Sequence, residues 1–472
     1  MRTFDQNYID GAFVPVTGEE LVDIVDPATE NVVGHARLAS REDARCAVEA
    51  AMRAQPAFGR TSVAERVAML GRLQAAMLAH ADALLEATIT EYGGPVARAQ
   101  WVASYASQCF GDAARALSSY AFERPVGGSI VVMEPVGVSA LFAPWNSTAG
   151  TMASKLAAAI AAGCAAVIKP SELSPWQAQV VARAIHAAAL PPGVVNIVTG
   201  RGADVGAEIG THPGVAKLSF TGSTPTGKLI ARAAVDTMKR VSLALTGKSA
   251  SLLLDDADLE TALPLALGAA FMNSGQACVA GTRLLVPRAR MPEVAERLRS
   301  AVAALRVGDP RDPAIAIGPM VNRAQYERVQ HFIRRGVDQG ATLIAGGEGR
   351  PDGLDRGWFV RPTVFVDVRN DMDIAREEIF GPVLSVLPVD SEDEAIAVAN
   401  DSPYGLQAYV FSTDASRARH VASRLQAGTV LINRVAPDLL APFGGVKQSG
   451  VGREFGVAGM EAFLETKTLT SD

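Results

Sequence analysis

The chain has 472 residues, of which 49% are hydrophobic, 20% charged and 6% aromatic. That balance is ordinary for a globular protein and fits about three domains, or two large ones. The 44 Lys and Arg against 50 Asp and Glu leave a net charge of −6, so there is no polybasic field for nucleic acid or anionic lipid. The longest apolar run, 156–168, lies between Lys155 and Lys169 and falls short of the roughly 20 residues a membrane span needs. Residues 1–11 carry Asp5 and Asp10 and no apolar signal core, so a cytoplasmic location is expected.

Helical Ala/Arg/Glu patterning covers 41 to about 120. The stretch 126–135 alternates less cleanly and reads as a β excursion that can extend a neighbouring sheet. Strand and helix then alternate: strands are predicted at 138–143, 165–168, 194–198, 217–220 and 241–245. Helices are predicted between them at 151–162, 175–189, 203–211 and from a Ser223 cap to 234. Short, fully apolar strands separated by helices indicate a parallel sheet covered on both faces. A second alternation follows a boundary near 245–250, with helices at 258–273, 291–304 and 391–400 and strands at 282–286, 408–411 and 429–433. No internal repeat is visible.

A doubly wound sheet binds its ligands in the crevice beyond the carboxyl ends of its strands. Five loops occupy that position: Pro144-Trp145-Asn146, Lys169-Pro170-Ser171-Glu172, Thr199-Gly200-Arg201-Gly202, Thr221-Gly222-Ser223 and Thr246-Gly247-Lys248. Loops contain Gly and Pro for conformational reasons alone, so no single one is diagnostic. Of the four cysteines, Cys46 and Cys109 fall in helical stretches and Cys164 in the apolar run, where a thiol behaves as a small hydrophobe. Cys278, in Gly275-Gln276-Ala277-Cys278 with Gly281 close behind, sits in loop-like surroundings. The cysteines are too scattered for a disulfide framework, and no Cys/His cluster suggests a metal.

Together these loops and the Cys278 segment resemble the aldehyde dehydrogenase superfamily over essentially the whole chain. The matching stretches also include Glu134-Pro135-Val136-Gly137, Pro192-Gly193-Val194-Val195-Asn196, Glu377-Glu378-Ile379-Phe380-Gly381-Pro382, Tyr404-Gly405-Leu406 and Pro442-Phe443-Gly444-Gly445. The resemblance implies two doubly wound α/β domains plus a bridging β oligomerisation element, in a homodimer or homotetramer. It divides the chain into a dinucleotide-binding domain (1–122 and 138–246), a catalytic domain (247–445) and bridging segments (123–137 and 460–472).

By the same resemblance Cys278 is the nucleophile that adds to a small-molecule aldehyde, and Asn146 donates to the oxyanion that forms. Trp145, Lys169, Ser171, Glu172, Gly202, Gly206, Gly222, Ser223, Leu245, Glu378 and Phe380 would contact a nicotinamide cofactor. Lys169 and Glu172 fall at the adenosine ribose, where a carboxylate favours NAD over NADP. Gly222 and Ser223 open a helix suited to pyrophosphate.

Two departures stand out. The family's general-base glutamate is replaced by Ala244 in Leu243-Ala244-Leu245-Thr246-Gly247-Lys248, and a second glutamate that serves some members is matched to Val457. An alanine methyl accepts no proton. Four explanations follow: an engineered Glu-to-Ala trap, a different base or ordered water near Lys155 or Glu378, coenzyme A as acyl acceptor, or a silent family member used for binding. At the substrate mouth Ser147, Ser154 and Met272 stand where aromatic side chains are common, with Phe443 retained; smaller groups imply a wider tunnel and a bulky or branched aldehyde. Arg434 reads as either a partner for a substrate carboxylate or a plain surface charge.

Overall fold

The computed structural model describes residues 1–471. Its first sheet has eight strands in the spatial order Gly450–Val451, Arg240–Ala244, Lys217–Thr221, Ser139–Phe142, Ala166–Lys169, Val195–Ile197, Gln6–Ile9 and Ala12–Pro15. The five middle strands are parallel, while the outer ones pair antiparallel. Apolar residues alternate between two cores: Leu141, Ala166 and Ile168 pack on one face, and Ala140, Phe142 and Val167 on the other. A strand buried on both faces must read as a continuous apolar run, which is why 138–143 and 165–168 were legible.

The second sheet has seven strands in the order Thr342–Ala345, Thr363–Val366, Val383–Val389, Arg283–Pro287, Ala250–Leu253, Gln407–Phe411 and Thr429–Ile432, parallel except at its first member. Its strands divide in the same way, Leu285 facing one core and Leu284 and Val286 the other. A third, antiparallel sheet joins Glu123–Val126, Ser129–Pro135 and Leu464–Thr470, so the predicted β excursion is completed by a strand from the far end of the chain.

Most predicted elements stand within a few residues of their expected bounds. The helix expected at 151–162 begins a turn earlier, as Thr148–Ala162. The expected helix 203–211 is a π-helical turn, Gly202–Gly206, running into Ala207–Thr211. The helical N-terminal region is divided into Arg41–Phe58, Val63–Ala79, Ala81–Ala87 and Val96–Ser118, with a π-helical turn at Thr88–Tyr92. Five N-terminal strands, the helix Arg323–Asp338 and the strand Val383–Val389 were not anticipated.

Candidate active site

From the strand Ser139–Phe142 the chain winds outward through Ala166–Lys169 and Val195–Ile197, then returns to place Lys217–Thr221 on the opposite side. The strand order reverses there, and a crevice opens at the carboxyl ends of these two strands. Trp145 and Asn146 follow the first strand, and Gly222 and Ser223 follow the second. Ser223 caps the helix Thr224–Val235, its hydroxyl accepting from the N–H of Thr226. Leu245 packs on this helix, where a Cβ at Gly227 would lie 2.5 Å from its Cδ2.

One wall of the crevice is a charged trough. Lys169 Nζ donates to Glu172 Oε2 at 3.2 Å and to the Pro170 carbonyl at 3.1 Å; burial lowers its pKa, partly offset by Glu172. Arg201 reaches Glu172 at 3.8 Å, although its main partner is Glu20 at 2.7 Å. Ser171 Oγ accepts from Leu173 N–H at 3.2 Å. Opposite, nothing occupies the space a side chain would take at Gly202, and a Cβ at Gly206 would face Lys169 and Phe142 at 3.8 and 3.9 Å. A carboxylate and an ammonium facing bare glycine backbone, beside a hydroxyl-capped helix N-terminus, fit the ribose and phosphates of a dinucleotide.

Cys278 is delivered by a tight reversal. The helix Leu259–Phe271 ends in a turn in which Asn273, Ser274 and Gly275 take positive φ of 54°, 56° and 74°. Two consecutive non-glycine residues in that region are strained, and tertiary hydrogen bonds hold them. Ser274 Oγ accepts from Gly318 N–H at 2.9 Å, and Gln276 bonds to Tyr92 Oη, Pro319 O and Val321 N–H. Gly247 lets the cysteine loop approach: a Cβ there would sit 2.0 Å from the Cys278 carbonyl oxygen. Asn146 Nδ2 donates to Gln276 O at 2.9 Å, which fixes its amide beside the loop and leaves its second N–H for another acceptor.

Phe380, at φ 62°, and Trp145 meet edge to face at 5.3 Å, so these two expected residues come together across the crevice. Glu378 Oε1 accepts from Gly247 N–H at 3.1 Å. Burial pushes its pKa up to about 7, against the pull of that N–H and of Lys248. The Thr246 that departs from the family pattern accepts from Thr224 N–H at 3.2 Å.

Burial pushes the Cys278 thiol up to about 12, and the charges of Glu378 and Glu454 push the same way, against the N–H groups of Cys278 and Val279. The resting thiol is therefore protonated at neutral pH. We expect iodoacetamide labelling of Cys278, followed by peptide mass, to be slow at neutral pH and to accelerate with alkali. Glu378→Gln should accelerate it at fixed pH, because it removes the larger of the two opposing charges. A labelling rate indifferent to both pH and Glu378 would contradict this electrostatic picture.

Ala244 ends its strand, buried, and pairs with Gly450 of the antiparallel edge strand. That strand leads to Glu454, whose carboxylate lies 2.5 Å from Lys155 Nζ; Lys155 also donates to Ser219 Oγ at 2.9 Å. Lys155 thus meets a carboxylate from the far end of the chain. Val457, the position matched to the second glutamate, lies on the helix Gly456–Glu461 with 41% exposure. The inward acid is Glu454, because the chain reverses at Phe455 (φ 67°). A signal existed: a lysine at the head of a long apolar run requires a buried partner.

At the mouth, Phe443 stacks on Phe455, which meets Tyr105 edge on. Ser154 lines a small cavity with Phe455 and Cys109. Arg434 stands on the rim of an open cleft of about 340 Å³, exposed, with Nε donating to Ala436 O. Among the other thiols, Cys46 is exposed and Cys109 and Cys164 are buried. Among the described residues no group of His, Cys, Asp and Glu is arranged to hold a metal ion.

A thiol, an amide donor and a charged trough thus gather at a topological switch point of a doubly wound α/β fold. The sequence matches the aldehyde dehydrogenase family over residues 13–469, and the chain belongs to that family. It is 45% identical over 471 residues to a 3-succinoylsemialdehyde-pyridine dehydrogenase of a Pseudomonas species, covering 99% of both chains. It is 43% identical to a putative aldehyde dehydrogenase of Staphylococcus aureus over 472 residues, again 99% of each. Aldehyde dehydrogenase C of Pseudomonas syringae, solved as a cysteine-to-alanine mutant with NAD+ and octanal, superimposes with a TM-score of 0.97 at 43% identity, over 99% of this chain and 96% of that one. A Mycobacterium tuberculosis aldehyde dehydrogenase complexed with NAD+ gives 0.95 at 36% identity, over 100% and 98%.

Proposed function

We propose that this protein oxidises an aldehyde to the carboxylic acid with NAD+, through a thiohemiacetal and then a thioester on Cys278. The observation that carries this reading is the convergence of the Cys278 loop, the Asn146 amide and the Lys169–Glu172 trough on one crevice. Relatives solved with NAD+, one of them also with octanal, support it. NAD+ supplies the hydride acceptor when bound. Lys169 and Glu172 would hold its adenosine ribose, and the Glu172 carboxylate would repel a 2′-phosphate, which favours NAD over NADP. Glu378 and Phe380 would flank the nicotinamide end.

The Cys278 thiol passes its proton to a carboxylate, Glu378 being the acid that acts most strongly on it, the thiolate adds to the aldehyde carbon, and the resulting alkoxide takes hydrogen bonds from Asn146 Nδ2 and the Cys278 N–H. The thioester left after hydride departure is cleaved by water: a C–O bond forms, the C–S bond breaks, and the water proton passes to a base. We assign that base to Glu454, held by Lys155 at the turn after the edge strand that pairs with Ala244. A second reading assigns it to Glu378, whose pKa of about 7 suits a base at neutral pH.

A rapid-mixing NADH burst tests both. Glu454→Gln is expected to keep the burst and slow steady turnover about 100-fold, as loss of a general base does. Unchanged turnover in Glu454→Gln together with loss in Glu378→Gln would move the base to Glu378. Turnover that needs coenzyme A would overturn hydrolysis.

The three-stranded sheet leaves Val126, Ile130 and Leu469 about half exposed, which supports a homodimer, or a dimer of such dimers, joined through it. Among the described residues no helix is long and apolar enough to cross a membrane. We assign the enzyme to the cytoplasm.

A further inference from the structure

Arg98 is a cation with unmet hydrogen-bonding capacity beside the nucleophile. It opens the helix Val96–Ser118, and Trp101 and Tyr105 follow on the same face at spacings of three and seven residues. Its guanidinium carbon lies 4.4 Å over the Trp101 ring, and Nη2 makes only a long contact, 3.5 Å, with the Asn146 carbonyl. Nε is out of solvent with no acceptor. The ionisable groups near enough to act on it are Tyr92, Tyr105 and Cys278; burial keeps all three protonated, hence neutral. No Asp or Glu pairs with it among the described residues.

Arg283 is the opposite case. That guanidinium is fully buried, where Arg98 is only partly so, and it donates to Lys248 O, Asn370 Oδ1, Val398 O and Ala399 O, so its fork is filled by the fold. The Arg98 charge rests on the Trp101 ring, but its fork is left largely unfilled, with Nε out of solvent and without an acceptor, and a donor left in that state is costly unless a ligand completes it. Trp101 and Tyr105 line the 340 Å³ cleft at the surface, and the residue after Asn146 is the small Ser147. At Gly150 the Tyr105 ring fills the space a side chain would take.

We propose that Arg98 recognises a carboxylate carried by the aldehyde itself, so that the preferred substrates are oxo-acids rather than simple alkanals. The proposal rests on the aldehyde-oxidising reading above. A planar guanidinium with free donors matches the two oxygens of a carboxylate and neutralises the charge in the same contact. Arg434 is the weaker candidate, because it is exposed on the rim, where solvent screens its charge.

The test compares matched pairs, succinic semialdehyde against butanal and carboxybenzaldehyde against benzaldehyde, in the wild type, Arg98→Gln, Arg98→Lys and Arg434→Gln. We expect the wild type to favour the acid of each pair, and Arg98→Gln to raise KM for the acids at least about tenfold while the neutral aldehydes move less than about twofold. Arg98→Lys should restore part of the preference, and Arg434→Gln should keep it. Succinate, which cannot be oxidised here, should raise the Tm of the wild type and not that of Arg98→Gln, a readout independent of turnover. No acid preference in the wild type, or an equal fall in kcat on acids and neutral aldehydes in Arg98→Gln, would overturn the proposal and make Arg98 a positioning residue for Asn146. No NADH from any aldehyde would overturn the underlying reading, and the succinate shift would then show whether the anion site stands alone.

Discussion

Cys278→Ala is expected to abolish aldehyde-dependent NADH formation, a loss of at least about 10⁴-fold, because removing a covalent nucleophile leaves no route to the acyl intermediate. No other thiol can take its place: Cys46 lies exposed on the helix Arg41–Phe58, and Cys109 and Cys164 are buried in a core. The substitution removes one atom from a loop held by Ser274, Gln276 and Asn146, so the fold and NAD+ binding should survive. The measurement is NADH absorbance with an aldehyde in excess, with NAD+ affinity by fluorescence titration as the control. The wild type, quenched in turnover, should carry one acyl mass on the peptide containing Cys278. Turnover in Cys278→Ala within about tenfold of the wild type would remove covalent catalysis from the account.

The first sheet could be read in the sequence because its middle strands are buried on both faces and so are apolar throughout, as Ala166–Lys169 and Ser139–Phe142 are. The N-terminal strands lacked that signature: Ala12–Pro15 is half exposed and Leu21–Asp26 alternates irregularly. Yet Asp10-Gly11, both at positive φ, carries the two-residue hairpin signal between Gln6–Ile9 and Ala12–Pro15. Val383–Val389 is interrupted by Ser385 and Pro388, which masked it. The helix Arg323–Asp338 is strongly polar on its outer face and was passed over beside more apolar stretches.

At the site, features set by local backbone, such as the Gly222–Ser223 turn and the loop that carries Cys278, were legible from neighbouring residues. Those that act through long-range pairing were not: Glu454 reaches Lys155 across nearly 300 positions of sequence, and Arg98 touches Asn146 across 48. The same distinction explains why Ala244 left the base unassigned. Side-chain identity at one position reports what that position cannot do, whereas the replacement depends on which distant strand pairs beside it. Here that strand is Gly450–Val451, seated so closely on Leu243 that a Cβ at Gly450 would lie 1.8 Å from the Leu243 carbonyl oxygen.

Asn146→Ala is expected to lower kcat about 10²- to 10³-fold, the usual cost of one oxyanion donor. The amide is preorganised: Nδ2 is fixed by its bond to Gln276 O at 2.9 Å, and Asn273 Nδ2 bonds both Gln276 O and the Asn146 carbonyl. A donor already in place costs no reorganisation when charge develops on the alkoxide, so its removal falls on the transition state more than on substrate binding. KM should therefore change little while kcat falls. The NADH burst should slow with the steady rate, because the lost donor serves thiohemiacetal formation as well as thioester hydrolysis. Asn146→Asp sharpens the test: the carboxylate is nearly isosteric but presents acceptors to an anion, so it should be at least as damaging as alanine. A fall confined to KM in Asn146→Ala, or an active Asn146→Asp, would mean that the oxyanion is held by the backbone N–H of Cys278 without the side chain.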